Sequence, residues 1–283
     1  MSRIIYINGY YLPEEDASIP VMDRSFLFGD GIYEVCAVVN GEFVDNNAHL
    51  ARLERSLNEI DIQNPYSKLE WIDKQNELSR RNALREGIIY IQVSRGVFER
   101  EFICPDTVKP TVVMFTQEKI ILNTPLVKTG ASVITVPDQR WERRDIKSVS
   151  LLAQVLAKRA SSRAGAHEAW MVQDGFITEG ASSTAFIITH EHEIVTRPSS
   201  NDILPGVTRL SVIDLAKNQG LKVIERPFTV FEALNAAEAF YTSASSFVMP
   251  VVSINKQKIG TGLPNKLVTN LRDIYVKSIL NDM

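Results

Sequence analysis

Phe28-Gly29-Asp30-Gly31-Ile32-Tyr33-Glu34-Val35 sets two glycines around an aspartate and runs directly into an apolar, β-branched stretch ending at Val39. Such a run reads as a strand entered through a tight turn. Asn40-Gly41 punctuates it before Glu42-Phe43-Val44. Upstream, Ile4 to Tyr6 and Tyr10 to Leu12 flank Asn8-Gly9, a strong local hairpin signal. Downstream, a helix opens near Asn47, with Leu50, Leu53, Leu57 and Ile60 on one face at helical spacing. A second helix is expected over about residues 68 to 84, ended by Gly87. Ile88 to Ser94 and Thr111 to Thr116 read as strands, joined irregularly through Cys104-Pro105.

Asn123, Thr124, Pro125 and Gly130 mark a break. The expected organisation is a small N-terminal α+β domain over 1–118, a linker over 119–129 and a larger C-terminal α+β domain over 130–283. In the second part, strands are expected at 131–136, 168–172, 184–189, 222–226 and 239–242. Helices are expected near 148–164, from Gly206 to about Lys217, at 231–235 and from about Asn265. Strands and helices mix without a regular βαβ repeat, which indicates an α+β fold rather than a doubly wound sheet.

The bulk numbers agree. A chain of 283 residues exceeds the usual size of one core, so two domains are expected. A net charge of -3 with no long basic stretch argues against a nucleic-acid partner. No apolar run approaches the roughly 20 residues that cross a bilayer, so no membrane partner is expected. Ser2 to Gly9 reads as a strand and turn rather than a secretory signal. The two cysteines, Cys36 and Cys104, suit a reducing compartment, and a cytoplasmic protein is expected. His49, His167, His190 and His192 show no metal-ligand spacing, so no metal is expected.

Several residues have chemical potential. Lys147, in Arg144-Asp145-Ile146-Lys147-Ser148, stands where a polar stretch meets an apolar segment. Desolvation there would favour the neutral, nucleophilic amine; the alternative is a surface lysine at a helix start. Glu179 precedes small residues in Thr178-Glu179-Gly180-Ala181-Ser182-Ser183 and is either a carboxylate for a ring nitrogen or part of a polar turn. Leu204-Pro205-Gly206-Val207-Thr208-Arg209 leads into a helix that Thr208 can cap, and its free amides suit a phosphate. Ser243-Ala244-Ser245 is a hydroxyl-rich turn after a strand. Tyr33 can reach into a pocket, and Arg52 and Arg100 can hold phosphate or carboxylate. Taken singly, each is equally an ordinary cap, turn or solvated side chain.

Taken in order, these motifs resemble the fold-type IV pyridoxal-phosphate enzymes. Phe28 to Glu34, His49-Leu50-Ala51-Arg52-Leu53, Asp145 to Ser148, Thr178 to Gly180 and Leu204 to Arg209 carry the likeness, which runs from about residue 4 to beyond 250. Asp23-Arg24, Val93-Ser94-Arg95-Gly96 and Arg140-Trp141 are similar to the D-amino acid transaminase subgroup. The resemblance implies two α+β domains and a homodimer. It implies that Lys147 binds pyridoxal 5'-phosphate as an imine and shuttles the proton, and that Glu179 pairs with the pyridine nitrogen. Arg52, the amides of Val207 and Thr208, and Ser243, Ala244 and Ser245 would hold the phosphate. Tyr33 would line the substrate pocket. The implied reaction moves the amino group of a D-amino acid to a 2-oxo acid such as pyruvate or 2-oxoglutarate.

The chain departs from that pattern twice. The subgroup holds the substrate carboxylate with an Arg-x-His pair; here the segment reads Arg100-Glu101-Phe102, and phenylalanine donates no hydrogen bond. Arg24 or Arg95 is then expected to serve, or the trap is weaker. Thr184 stands where asparagine is usual. The alternatives are an (R)-selective amine transaminase, a branched-chain L-amino acid aminotransferase, an aminodeoxychorismate lyase on the same cofactor, and a cofactor-free binding protein.

Overall fold

Burial alternates along the residues from Gly87 to Ser94, as it does in a strand packed on one face of a sheet. The structure, a computed structural model, describes residues 2–281 and divides into two units. One comprises Met1–Ile121 with Ile146–Ser150, the other Leu122–Asp145 with Leu151–Met283.

In the first unit the elements are β1 (Ile4–Ile7), β2 (Tyr10–Pro13), α1 (Arg24–Phe28), β3 (Gly31–Val39), β4 (Glu42–Phe43), α2 (Asn46–Asn58), α3 (Lys68–Arg81), β5 (Gly87–Ser94) and β6 (Thr111–Glu118). The six strands form one antiparallel sheet in the order β2-β1-β6-β5-β3-β4. Asn8 and Gly9 both take positive φ, and Ile7 pairs with Tyr10 across them, as a two-residue hairpin requires. Ser67 and Glu70 cap α3 reciprocally. Leu50, Leu53 and Leu57 of α2 join Tyr6, Ile32, Trp71, Leu78, Ile89 and Met114 in the core. Gly87 opens β5 instead of ending the helical region; a side chain there would collide with the Gln117 carbonyl of β6.

In the second unit follow α4 (Leu126–Thr129), β7 (Ala131–Pro137), α5 (Leu152–Arg163), β8 (Glu168–Gln173), β9 (Phe176–Gly180), β10 (Thr184–Ile188), β11 (Ile194–Thr196), α6 (Val207–Asn218), β12 (Val223–Glu225), α7 (Val230–Leu234), β13 (Glu238–Ser243), β14 (Phe247–Ile254), β15 (Gln257–Lys258) and α8 (Lys266–Asn281). The sheet runs β12-β11-β10-β13-β14-β7-β8-β9, with β15 on β14. It is mixed: β11 with β12, β14 with β7, and β7 with β8 are parallel. Trp170, Phe228, Tyr241 and Met249 lie in its main core.

The helix expected near 148–164 begins later, at Leu152. Its expected first residues are tied to β3 instead. The Tyr33 amide donates to the Lys147 carbonyl at 2.9 Å, and the Val149 amide donates to the Gly31 carbonyl at 3.0 Å. This backbone cannot also start a helix. The segment bearing Lys147 therefore groups with the first unit, not with the expected 130–283 domain. The expected linker over 119–129 contains α4 and belongs mostly to the second unit.

Glu34 of β3 is buried and receives Arg52 twice, Nε at 2.7 Å and Nη2 at 2.9 Å. His49 Nδ1 lies 2.8 Å from the same carboxylate. Burial alone would raise the Glu34 pKa, but the charge and hydrogen bonds of Arg52, with His49, hold it well below the usual range. A depressed carboxylate pKa adds stability that is present above the unfolded value of 4.5 and lost as pH falls below it. Burial likewise keeps His49 neutral and lowers its pKa, so acid acts in the same direction. Glu34→Gln is expected to destabilise the protein by roughly 3–5 kcal/mol at pH 7 in urea denaturation, because it strands a buried guanidinium. The variant should also lose much of the wild-type decline in stability below pH 4.5.

Candidate active site

Lys147 is half-buried and held by its backbone. Besides the bond from Tyr33, its own amide donates to the Ser56 hydroxyl of α2 at 3.4 Å. Its Nζ lies 4.3 Å from the centroid of the Tyr33 ring. That ring stacks on Tyr90 at 5.6 Å, and Tyr90 stacks on Phe115 at 4.7 Å. The aromatic column fixes the surface on which the ammonium rests. No ion pair or hydrogen bond engages Nζ among the described residues. Lys147 is close enough to His49 for its charge to contribute to the lowered His49 pKa, after burial and Arg52.

The other first-unit candidates are more committed. Arg52 faces Glu34, so part of its donor set is already used. Arg24 is buried; its Nε donates to Asp30 at 2.8 Å, and its two Nη atoms donate to the carbonyls of Glu101 and Phe102 at 2.6 and 3.1 Å. Arg95 makes a fork on Asp30 and also donates to the carbonyls of Ile60 and Asp61. Of these two arginines, expected as stand-ins for a missing histidine, Arg24 holds the loop that carries Phe102 and Arg95 holds the chain at Ile60 and Asp61. Arg100 is exposed and stacks over Phe28 at 5.4 Å. Phe102 is 84% exposed and meets the Phe28 ring at 5.5 Å.

In the second unit, Glu179 is the penultimate residue of β9 and is buried. Its Oε1 accepts from Arg140 Nη1 and, at 3.1 Å, from the Leu204 amide. Its Oε2 has no hydrogen-bond partner among the described residues. Arg140 also binds Asp138 through Nη2 at 2.7 Å, and the Thr178 hydroxyl donates to Asp138 at 2.6 Å. Burial pushes the Glu179 carboxyl above its usual range, while Arg140 and the Leu204 amide pull against that shift. Arg140 stays charged: burial opposes its charge, but Glu179 and Asp138 outweigh it. Thr178 entered the sequence reading only as a neighbour of Glu179, and Asp138 was not singled out. The available signal was the Asp138-x-Arg140 spacing just after a strand.

Gly206, not Thr208, is the N-cap of α6. Thr208 is the second helical residue, too far along to accept from that first turn as a cap. No side chain caps the helix. A side chain at Gly206 would meet the Thr184 hydroxyl at 2.8 Å, so the helix end is open only because this residue is glycine. Thr184 pairs in register with Thr242, whose buried hydroxyl has no hydrogen-bond partner among the described residues. Ser243 ends β13, and the turn through Ala244 and Ser245 closes when the Ser246 amide donates to the Ser243 carbonyl at 3.3 Å. Among the described residues no cluster of histidine, cysteine, aspartate and glutamate could hold a metal, and no helix is long and apolar enough to cross a membrane.

Comparison with known proteins gives these sites a context. The sequence pattern of amino-transferase class IV matches residues 31–254. A D-alanine aminotransferase of Bacillus licheniformis is 37% identical over 283 residues, 98% of each chain. One from Staphylococcus aureus (strain MSSA476) is 35% identical over 278 residues, 97% of each. The fold is that of the Escherichia coli branched-chain amino acid aminotransferase, with a TM-score of 0.92 at 21% identity over 99% of this chain and 95% of the other. The Thermoproteus uzoniensis enzyme gives 0.90 at 23% identity over 99% and 96%. A match across both units, with relatives this similar from end to end, means that the chain belongs to the class IV aminotransferases, whose cofactor is pyridoxal 5'-phosphate.

Proposed function

We propose that this chain transfers the amino group of a D-amino acid to a 2-oxo acid such as pyruvate or 2-oxoglutarate, with Lys147 as the amine that holds the cofactor. The observation that carries the reading is the Lys147 ammonium lying over Tyr33 with no carboxylate bound to it. A lysine with a structural role is normally paired; this one is placed and left available. The D-amino acid is supported by curated relatives that are D-alanine aminotransferases.

The residues suit pyridoxal 5'-phosphate. Glu179 keeps Oε2 open while Oε1 is held. The uncapped first turn of α6, behind a glycine, offers amides to an anion. When bound, the cofactor supplies an aldehyde for the amino group and a protonated ring that takes up the electrons of the broken C–H bond. Glu179 Oε2 accepts the ring N–H and keeps that nitrogen protonated. Arg140 and the Leu204 amide fix the orientation of Glu179. The amides of Val207 and Thr208, the turn of Ser243, Ala244 and Ser245, and Arg52 hold the phosphate. Lys147 Nζ would take the substrate's α-proton as a general base and return it as a general acid. Tyr33 lines the substrate pocket and keeps Nζ on one face, which sets the enantiomer.

The chain acts as a cytoplasmic homodimer. The exposed stripe Leu152, Val155 and Leu156, at i, i+3 and i+4 of α5, supports the second copy. Two unpaired cysteines, Cys36 and Cys104, support the reducing compartment. A second reading, transfer from (R)-amines that lack a carboxylate, is favoured by Phe102 and by the commitment of Arg24 and Arg95 to Asp30.

Lys147→Ala is expected to fold normally by circular dichroism and to lose transamination by roughly a thousandfold or more. In the wild type, D-alanine and not L-alanine should bleach the yellow holoenzyme; the reverse preference would overturn the stereochemical reading. Phe102→His should raise kcat/KM for D-alanine about tenfold relative to (R)-1-phenylethylamine, since it adds a donor for a carboxylate. Light scattering should give twice the chain mass of 31.8 kDa, and Leu152→Glu with Leu156→Glu should reduce it to one.

A further inference from the structure

The buried stripe of α8 recurs at Val268, Leu271, Arg272, Tyr275 and Ile279, the spacing of a helix face turned to a core. Four of these residues are what such a face normally carries. The fifth is an arginine with only 3% of its surface exposed. A guanidinium is buried at high cost unless its donors are satisfied. Nη1 of Arg272 donates to the carbonyls of Ser246 and Val248 at 2.7 and 2.8 Å, and Nη2 to that of Leu122 at 3.1 Å. Burial lowers its pKa, though arginine remains charged at any ordinary pH.

The two carbonyls bracket Phe247, which has φ +56. That left-handed conformation is unfavourable for a bulky residue and persists only where its surroundings enforce it. Here one helix face enforces it twice. Arg272 fixes the carbonyls on either side, and Tyr275 packs edge-on against the fully buried Phe247 ring at 5.1 Å. Phe247 pairs with Ser243 across the turn, so fixing one end fixes the other.

We propose that Arg272 is a positioning residue for the cofactor phosphate, holding the Ser243–Ser246 turn from behind and placing a positive charge one peptide away from it. The inference rests on the reading that this turn binds the phosphate. Its action is on the phosphate alone, because Arg272 holds the turn and takes no part at Lys147.

The test compares two ligands that differ by the phosphate. Apoenzymes of the wild type, Arg272→Met and Arg272→Lys are titrated with pyridoxal 5'-phosphate and with pyridoxal, following fluorescence quenching. Arg272→Met should weaken pyridoxal 5'-phosphate binding roughly 10- to 100-fold, the scale of lost charged hydrogen bonds, and leave pyridoxal within about twofold. Arg272→Lys, which keeps the charge but not the fork, should fall between. Equal weakening of both ligands, or of neither, overturns the proposal. If Arg272→Met fails to fold, Arg272→Lys decides by the same difference between ligands. Gly206→Val, which crowds the α6 N-terminus, separates the two levels. If it weakens pyridoxal 5'-phosphate while the Arg272 variants do not, the role of Arg272 alone is wrong. If neither it nor the Arg272 variants discriminate between the ligands, the phosphate is held elsewhere and the underlying reading falls with the inference.

Discussion

Two main-chain hydrogen bonds tie Lys147 and Val149 to β3, and the placement of the Lys147 amine depends on them. They bring a distant stretch of chain back to the strand that carries Tyr33 and Glu34. A lysine side chain has four freely rotating carbons, and its position is only as well defined as its backbone. With the backbone fixed on both sides and the amine resting on an aromatic column, little freedom remains. Glu34 of the same strand forms a buried ion pair with Arg52 and a hydrogen bond with His49, which fix α2 against β3. Placement of the amine and stability of the unit thus come from the same strand.

A common device recurs in both units. Arginines grip a carboxylate of low exposure, and the resulting cluster holds main chain. Asp30 organises Arg24, which binds the carbonyls at 101–102, and Arg95, which binds those at 60–61 just beyond α2. Asp138 and Glu179 share Arg140, and Glu179 also takes the Leu204 amide, two residues before the N-cap of α6. Each network converts a few charged side chains into fixed loop geometry. Breaking a single member leaves an uncompensated buried charge, so these residues act as units rather than as separate contributions.

Much of this was legible in the sequence where local physics decides. The Asn8-Gly9 hairpin, the apolar face of α2, and the long strands β3, β5 and β6 follow from turn chemistry and periodicity, which neighbours reinforce. Lys147 and Glu179 stood out because ordered motifs surround them. What was not legible depends on partners far along the chain. The helix expected from Ser148 yields to pairing with Gly31 and Tyr33, more than a hundred residues earlier, and no local propensity reports that. Thr208 looked like a cap, but the N-cap falls earlier, at Gly206, where a Cβ would crowd Thr184. Arg24 and Arg95 looked available for a substrate until Asp30 was seen to hold both. Asp138 offered only its spacing from Arg140, and Arg272 gave no signal of its own, because an arginine in a helix is commonplace.

The central claim is that Lys147 is the amine that carries the cofactor. Borohydride reduction of the yellow holoenzyme, followed by proteolysis and mass spectrometry, addresses it most directly. The predicted result is one pyridoxyl label, on the peptide containing Lys147. A label on any other lysine, or none, would contradict it.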